Sequence, residues 1–533
     1  MQMVSNPSQK NIDKSEIGNY NSYYGITKEA GDMMLFLGID VGTTGAKAAV
    51  FDENGVQHGY AFQEYGVLCP QKGYAEQDAE QIWNITKIVI GKAVLGIGNE
   101  INALSLSVQG DAIIPIDQNR NALSYAQLGM DYRAITETKS CEDMFGERKL
   151  FELTGMRPHP MNSLIKIIWV KNNNPKLYEQ TYKFVTYADF ILGKLGSTEI
   201  VIDYTMASRT MAFDIKNLQW SRLILDQLGI AAEKLAHPVP SGTIVGEINR
   251  ELADELKLNH KVLLVTGGHD QTCAALGAGV VKENMALDSH GSAEVISTVF
   301  SSPQLNDTMF RSFYPCYIHA VPGMYFTFSL NHTGGVSLKW FVDNFCSEDG
   351  LAAAKTGDQI YNYILNHMPN TPSTVMVLPH FNGSGTPTCD LDSKGAFLGL
   401  TLATSRYDVA KAIIEALSFE ARINLDNMKT LGIEIRQLRC VGGGARSPLG
   451  LQNKADILGI PVASLKIREA ACLGAAMLAG TAAGVYKNLQ DAVGIVNVAK
   501  TYEPSEEFHR VYNNKYCIYS QLYDKLKEIQ YEI

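Results

Sequence analysis

Three glycine-containing segments combine the residue types that hold phosphate groups and move protons. In the first, LGIDVGTTGAKAAVF (37–51), an apolar run reaches Asp40, and Gly42, two threonines and Lys47 follow. A tight turn of this kind exposes N–H groups and hydroxyls on one side, and such concavities bind anions. The GxxxxGK[ST] pattern of the P-loop is absent from the sequence. A plain hairpin, whose glycines serve only the turn, is the alternative.

The second segment, VLLVTGGHDQT (262–272), places Asp270 where a predicted strand ends and a helix begins. Catalytic groups are often found at that point of an α/β sheet. A carboxylate there can accept the proton of an attacking hydroxyl, which is the task of the base in phosphoryl transfer. Asp is also a common N-cap. The flanking glycines clear space around the side chain and favour the catalytic interpretation.

The third segment, RCVGGGARSPLGLQNKADILGIPV (439–462), reads as strand, triple glycine and helix. Ser447 is the predicted N-cap, and Pro448 stands at the first helical position. A dinucleotide fingerprint needs Gly where Ser447 stands and an acidic residue after the next strand, so a dehydrogenase is disfavoured. A nucleoside lying against Gly442, Gly443 and Gly444 remains the prediction.

Two polar groups of residues could bind a hydroxylated ligand, because each buried hydroxyl needs a partner. One is Gln109, Gly110 and Asp111, which follow a predicted strand, and the other is Asp131 with Arg133. A solvated loop is the alternative for each of them.

The elements that position these residues form two similar halves. Apolar runs at 35–39 and 46–51 and the Asn54-Gly55 turn predict three antiparallel strands, and a helix is predicted over 79–95. MALDSHGSAEVISTVF (285–300) repeats the Asp, small-residue turn and strand, with Gly291 and Ser292 in the turn. We therefore predict an α/β protein of two lobes with a boundary near 281. A disordered leader covers 1–33. A helical tail covers 501–533, and its predicted single apolar face consists of Phe508, Val511, Tyr512, Tyr519, Leu522, Leu526 and Ile529.

Composition excludes several classes of protein. The 533 residues carry a net charge of −10 without a basic block, so nucleic acid is a poor partner. Nine scattered cysteines without a CxxC pair argue against a disulfide framework and a zinc site and favour the cytoplasm. The sequence contains neither an apolar run long enough for a membrane helix nor a signal peptide.

Over residues 34–500 the sequence resembles the FGGY carbohydrate kinases, and xylulose kinases in particular. MNSLIKIIWVKNN (161–173) and GAFLGLTLATSRYDVAKAIIE (395–415) match the two signatures of this family. The resemblance implies two actin-like lobes of the RNase H type around a cleft, with lobes at 34–281 and 282–500. It also implies ATP and Mg²⁺ as cofactors. Because dimers are common in this family, it allows a homodimer.

The resemblance assigns roles to individual residues. Asp270 would be the general base, and the sugar would be held at Gln109, Gly110, Asp131 and Asp270. A magnesium ion would lie near Asp40 and Asp270. The phosphates and the nucleotide would be held by Gly42, Thr43, Thr44, Lys47, Gly291, Ser292, Gly442, Gly443, Gly444, Ala445 and Gln452.

The sequence thus predicts an ATP-dependent kinase for a hydroxyl of a small sugar, with a ketose such as xylulose or a related polyol as substrate. The segments at 108–110 and 383–387 depart from the xylulose kinase pattern, so erythritol, ribulose, gluconate and glycerol stay open as alternatives. An actin-like ATPase without sugar kinase activity is the alternative from another class.

Overall fold

The computed structural model describes residues 33–356 and 358–532, and each half of the chain contains one large mixed sheet. The predicted leader lies outside the described residues except for Met33. The strands of the first half are β1 Leu35–Val41, β2 Gly45–Asp52, β3 Gln57–Glu64, β4 Glu76–Gln77, β5 Ile101–Val108, β6 Ile114–Ile116, β7 Ala126–Gln127, β8 Lys183–Val185, β9 Val201–Asp203, β10 Phe213–Asp214, β11 Gln219–Trp220, β12 His237–Val239, β13 Ile244–Glu247 and β14 Leu263–His269. Those of the second half are β15 Met285–His290, β16 Glu294–Phe300, β17 Tyr317–Ile318, β18 Tyr325–Asn331, β19 Met376–Leu378, β20 Ala396–Leu398, β21 Gln437–Gly442, β22 Val462–Leu465 and β23 Val498–Tyr502.

The two large sheets share a five-strand core. In the first sheet β3, β2 and β1 are antiparallel, β5 and β14 continue in parallel, and β13 closes the edge. In the second sheet β18, β16 and β15 are antiparallel and β21 and β22 continue in parallel, with β17 and β23 at the edges. The predicted repeat is confirmed, since the two glycine turns connect equivalent strands.

Helices cover the faces of these sheets, which explains why strands such as β1 are buried along almost their whole length. They are α1 Ala79–Ala93, α2 Ile135–Phe145, α3 Glu147–Thr154, α4 Ser163–Asn173, α5 Pro175–Gln180, α6 Tyr187–Leu195, α7 Tyr204–Arg209, α8 Arg222–Leu228, α9 Arg250–Leu256, α10 Asp270–Gly277, α11 Asp307–Arg311, α12 Gly335–Phe345, α13 Ser347–Thr356, α14 Ile360–His367, α15 Arg406–Thr430, α16 Pro448–Leu458, α17 Ala470–Ala482, α18 Leu489–Ala492, α19 Glu506–Tyr519 and α20 Leu522–Glu532. The predicted helix over 79–95 ends at Ala93, and Asp78 caps its start by accepting hydrogen bonds from two backbone N–H groups.

Helices α10 and α17 join the two halves by close backbone contact. A Cβ atom at Gly277 would lie 1.8 Å from the Ala470 carbonyl oxygen, and one at Gly474 would lie 1.9 Å from the Cys273 oxygen. Helix α17 also packs on β1 and β5, so a helix from the second half covers one face of the first sheet. Only residues without a side chain permit this approach.

The tail differs from its prediction in one respect. Ser505 caps α19 as expected, and Tyr512 and Tyr519 are buried. The predicted single apolar face is wrong, because the chain breaks between α19 and α20 and Val511 and Ile529 are exposed. Spacing across a helix break no longer keeps residues on one face.

Candidate active site

The first glycine turn is fixed by hydrogen bonds to its own backbone. The Gly42 N–H donates to the Gly45 carbonyl at 3.0 Å, and the Tyr65 hydroxyl donates to the Gly42 carbonyl at 2.6 Å. Thr43 is partly buried and Thr44 is exposed. The turn is therefore held in place by the protein, and its exposed Thr44 offers a hydroxyl for anion binding.

Gln109 supports this turn. It is 5% exposed, its amide oxygen accepts a hydrogen bond from the Thr43 hydroxyl at 3.2 Å, and its amide nitrogen donates to the Gly42 carbonyl at 3.3 Å. The same nitrogen donates to the Gln77 side chain at 3.1 Å. Gln109 thus links the turn to the interior, and its predicted contact with a sugar stays a prediction.

Asp40 and Lys47 lie on the two strands that flank the turn. The Ser107 hydroxyl donates to Asp40 Oδ1 at 2.7 Å, and burial raises the pKa of Asp40 despite the opposing effects of Lys47 and Ser107. Lys47 Nζ lies 2.8 Å from Glu469 Oε2, in the residue that precedes α17. The predicted phosphate-binding lysine is therefore paired with a carboxylate from the second half.

Asp270 opens α10 directly after β14, as predicted. Its side chain is 32% exposed, and His269 Nε2 lies 3.1 Å from its Oδ1. Burial, followed by the Asp40 carboxylate, raises the pKa of Asp270 to about 7. Gly110 lies beside this pair, since a Cβ atom there would come within 2.8 Å of the His269 ring. A carboxylate with such a pKa can accept a proton near neutral pH.

Three further side chains belong to this region: Asp111, which the sequence analysis named as a possible ligand, and Arg209 and Gln271, which it did not. Arg209 Nη2 donates to Asp111 Oδ2 at 2.6 Å, and Arg209 and Asp111 both act on the pKa of Asp270. Within the described part of the chain, Asp111 Oδ1, Arg209 Nε and Gln271 Oε1 are buried without a hydrogen-bond partner. Buried polar atoms are normally paired, so these three unpaired atoms are candidates for contact with a polar ligand. Gln271 could have been found as the neighbour of Asp270, but the pairing of Asp111 with Arg209 had no local signal.

Asp131 is engaged by protein groups. It is 0% exposed, and Arg133 Nη2 donates to its Oδ2 at 2.6 Å while the Ala75 N–H donates to the same oxygen at 2.7 Å. Arg133 also lies 3.7 Å from the centre of the Tyr74 ring and contacts Glu76 at 2.5 Å. Asp131 thus anchors Arg133, and its predicted role as a sugar ligand stays a prediction.

The second glycine turn is also held by backbone hydrogen bonds. The Gly291 N–H donates to the Ala293 carbonyl at 3.0 Å. The N–H groups of Gly334 and Gly335 donate to the carbonyls of Ser292 and Gly291, at 2.7 and 2.9 Å. The start of α12 therefore holds this turn from outside the hairpin.

The triple glycine lies against the second turn. Gly442 has a φ of +88°, and a Cβ atom there would lie 2.7 Å from the His290 carbonyl oxygen. A Cβ atom at Gly444 would lie 2.4 Å from the His290 ring, whereas one at Gly443 would meet nothing within 4 Å. Two glycines thus allow contact with His290, and Gly443 leaves open space for a ligand.

The helix after the glycines begins as predicted, with the Ser447 hydroxyl accepting a hydrogen bond from the Gly450 N–H at 3.0 Å. Ala445 packs against the main core. Gln452 donates to Asp456 Oδ1 at 2.9 Å and to the Glu503 carbonyl at 2.8 Å. The residue predicted at the adenosine end is therefore held by the protein.

Comparisons with known proteins agree with this geometry. Residues 35–277 match the model of the N-terminal domain of the FGGY family of carbohydrate kinases, and residues 296–483 match that of its C-terminal domain. A xylulose kinase of Staphylococcus epidermidis is 28% identical over 501 residues, covering 93% of this chain and 97% of that protein. Solved structures of a xylulose kinase and a gluconate kinase from Lactobacillus acidophilus share the fold, with TM-scores of 0.84 and 0.83. Each is 23% identical and covers 93% of this chain and 98% of its own. Among the helices of the described residues, none has the length and apolar character needed to cross a bilayer.

Proposed function

The chain belongs to the FGGY family of carbohydrate kinases and is an ATP-dependent sugar kinase, and on that premise we propose that Asp270 is its general base and that a ketose such as xylulose is its substrate. The observation that carries the assignment of the base is the position of Asp270. Asp270 opens α10, Arg209 and Asp111 act on its pKa, and Gln271 is the next residue; each of these three neighbours has a buried polar atom without a partner among the described residues. Acceptor and donor atoms arranged in this way suit the hydroxyl groups of a sugar.

In the proposed reaction Asp270 accepts the proton of the attacking hydroxyl as that oxygen bonds to the γ-phosphorus of ATP and the bond to the bridging oxygen breaks. ADP leaves with the bridging oxygen. Positioning and electrostatics supply most of the catalysis in phosphoryl transfer, and a general base contributes roughly 10²–10⁴-fold.

We assign the phosphates to the two glycine turns and the nucleoside to the glycine run. The turns at 42–44 and 291–292 offer N–H groups and hydroxyls, and Lys47, which pairs with Glu469, lies on the strand after the first turn. Asp40 and Asp270 would hold the magnesium ion. The donor set fits this ion, because both are carboxylates and the Asp40 charge raises the pKa of Asp270. When bound, the ion would offset negative charge on the phosphates.

Xylulose is proposed because the relative from Staphylococcus epidermidis, which covers 93% of this chain, is a xylulose kinase. Gluconate, ribulose, erythritol and glycerol are the alternatives to test. A coupled assay of ADP release with ATP and a panel of ketoses, alditols and aldonates decides among them. Stimulation by a ketose supports the proposal. Stimulation by an alditol or aldonate alone would show that this class of compound, and not a ketose, is the substrate. ADP release that no member of the panel stimulates would favour an ATPase.

We also propose one lobe at 34–281, a second lobe at 282–500 and a tail from 501. The matched domains fall inside the limits of the two lobes. A cytoplasmic location is proposed because all nine cysteines are unpaired. We propose a sugar or polyol, and no nucleic acid, as the partner. Light scattering of the purified protein tests whether it forms a homodimer.

A further inference from the structure

A buried lysine lies beneath the second glycine turn. Lys454, on α16, forms ion pairs with both Asp288 and Glu294. Asp288 is in β15 and Glu294 begins β16, so the two carboxylates lie on either side of the turn at 291–293. The three residues are 3%, 0% and 1% exposed. Both charged groups of an ion pair this deeply buried lose their hydration, and removing one of them leaves the other charge uncompensated.

The carboxylates have few other partners. The Cys440 thiol lies 3.4 Å from Asp288 Oδ2, and Asn331 donates to Glu294 Oε2 at 3.4 Å. Within the described chain Asp288 Oδ1 has no hydrogen-bond partner. Two carboxylates and one ammonium leave a net negative charge, so Lys454 is the main source of compensation.

His290 completes the group. Its Nδ1 lies 3.7 Å from Glu294 Oε1, and its ring lies against Gly444. Asp288, His290 and Glu294 could by type and spacing hold a metal ion. Lys454 already contacts both carboxylates, so the protein supplies its own cation at this place.

Lys454 therefore connects two segments that the proposed function assigns to the nucleotide. Its helix follows the glycine run at 442–444, and its partners flank the turn at 291–293. In the sheet His290 is paired with Gly442, so the glycine run and the turn also adjoin through the backbone.

We propose that Lys454 is a positioning residue for ATP. By neutralising Asp288 and Glu294, Lys454 keeps negative charge away from the phosphates at the second turn. This inference rests on the proposed function of that turn. A residue that only stabilises the fold would affect the melting temperature. A positioning residue for ATP also changes the affinity for nucleotide while the affinity for sugar is retained.

The test compares Lys454→Met, Lys454→Arg and Lys515→Met in the full-length protein. Lys515 is the matched control, because its Nζ pairs with Glu415 Oε2 at 2.7 Å in the same half of the chain but joins α19 to α15, away from the turn. For each protein we would measure the melting temperature, ADP affinity by calorimetry, and KM for ATP and for the sugar.

Lys454→Met should weaken ADP binding and raise KM for ATP by about tenfold or more, the effect of about 1.4 kcal/mol. KM for the sugar should stay within about twofold, since no contact of Lys454 reaches Asp270. Lys454→Arg keeps the charge and should bind ADP more tightly than Lys454→Met, although part of the affinity is lost because the larger guanidinium must fit a buried site. Lys515→Met should lower the melting temperature and leave ADP affinity as in the wild type.

Unchanged ADP affinity in folded Lys454→Met, or equal loss in the Met and Arg variants, would overturn the inference. If Lys454→Met does not fold, Glu294→Gln replaces it. Removing one of the two carboxylates leaves Lys454 paired with Asp288 alone and lowers the negative charge beside the phosphates, so ADP affinity should rise, and an unchanged or weakened affinity is the refuting result. A wild-type protein that binds no ADP would instead refute the assignment of the nucleotide site, so the two failures are distinguishable.

Discussion

Replacing Asp270 by Asn should remove most of the turnover and, at alkaline pH, make the protein more stable. Asn keeps the size of the side chain but cannot accept the proton, so kcat should fall by roughly 10²–10⁴-fold. The same change removes a carboxylate whose ionised form the fold disfavours, because burial raises its pKa.

The size of the stability gain follows from that pKa. Between the ordinary value of 3.8 and about 7 the folded protein binds a proton that the unfolded chain has lost, so stability falls as the pH rises through this range. At 1.36 kcal/mol per pH unit the upper bound is about 4 kcal/mol. Because the side chain is 32% exposed, solvent screening reduces this to roughly 1–2 kcal/mol.

The assay is thermal unfolding of both proteins from pH 5 to pH 8, without nucleotide or divalent metal. The variant should melt a few degrees higher at pH 8, with the difference shrinking towards pH 5. In parallel, kcat/KM of the wild type should rise with pH as Asp270 loses its proton, with a midpoint below the metal-free pKa of about 7 because Mg²⁺ in the assay favours the ionised carboxylate, and this limb should be absent from the residual activity of the variant.

A melting temperature for Asp270→Asn below that of the wild type at pH 8 would show that the ionised carboxylate is stabilised in the fold. The reasoning from burial would then be wrong, even if activity were lost. Turnover equal to that of the wild type in a folded variant that binds ATP would refute the assignment of the base.

Two further predictions concern stability at other positions. Gly444→Ala should be destabilising by about 1–3 kcal/mol and should raise KM for ATP, because the new methyl group meets the His290 ring. Gly443→Ala places its methyl group in open space and should melt like the wild type. Equal melting temperatures of the two variants would contradict this packing. Asp131→Asn should cost about 1–3 kcal/mol in stability, because it removes one of the two carboxylates paired with Arg133 and leaves Glu76 as the other. A change in sugar KM without loss of melting temperature would instead support Asp131 as a sugar ligand.

The parts of the fold that could be predicted are those with local signals. Hairpins follow from glycines and the Asn54-Gly55 turn, and the N-caps at Asp78 and Ser447 from residue type and position. The repeat of the two turns was also visible, because equivalent strands carry similar short motifs. In the site, a local signal of the same kind predicted that Asp270 lies at the strand–helix junction.

What the sequence could not provide was the choice of partners between distant segments. Asp111 pairs with Arg209, 98 residues away, and Lys454 with Asp288, 166 residues away. Charge attraction acts across the folded structure and leaves no periodic pattern in the chain. Lys47, predicted to face phosphate, pairs with Glu469 for the same reason.

The backbone contact between α10 and α17 sets a rule for recombining this protein with its relatives. The first half supplies Gly277 and the second supplies Gly474, and each accommodates the main chain of the other helix. A chimera that exchanged one lobe would have to keep glycine at both positions and the same offset between the helices. Helices α10 and α17 should therefore be exchanged together. Crossovers should be better tolerated in the outer loops than at the junction of the halves.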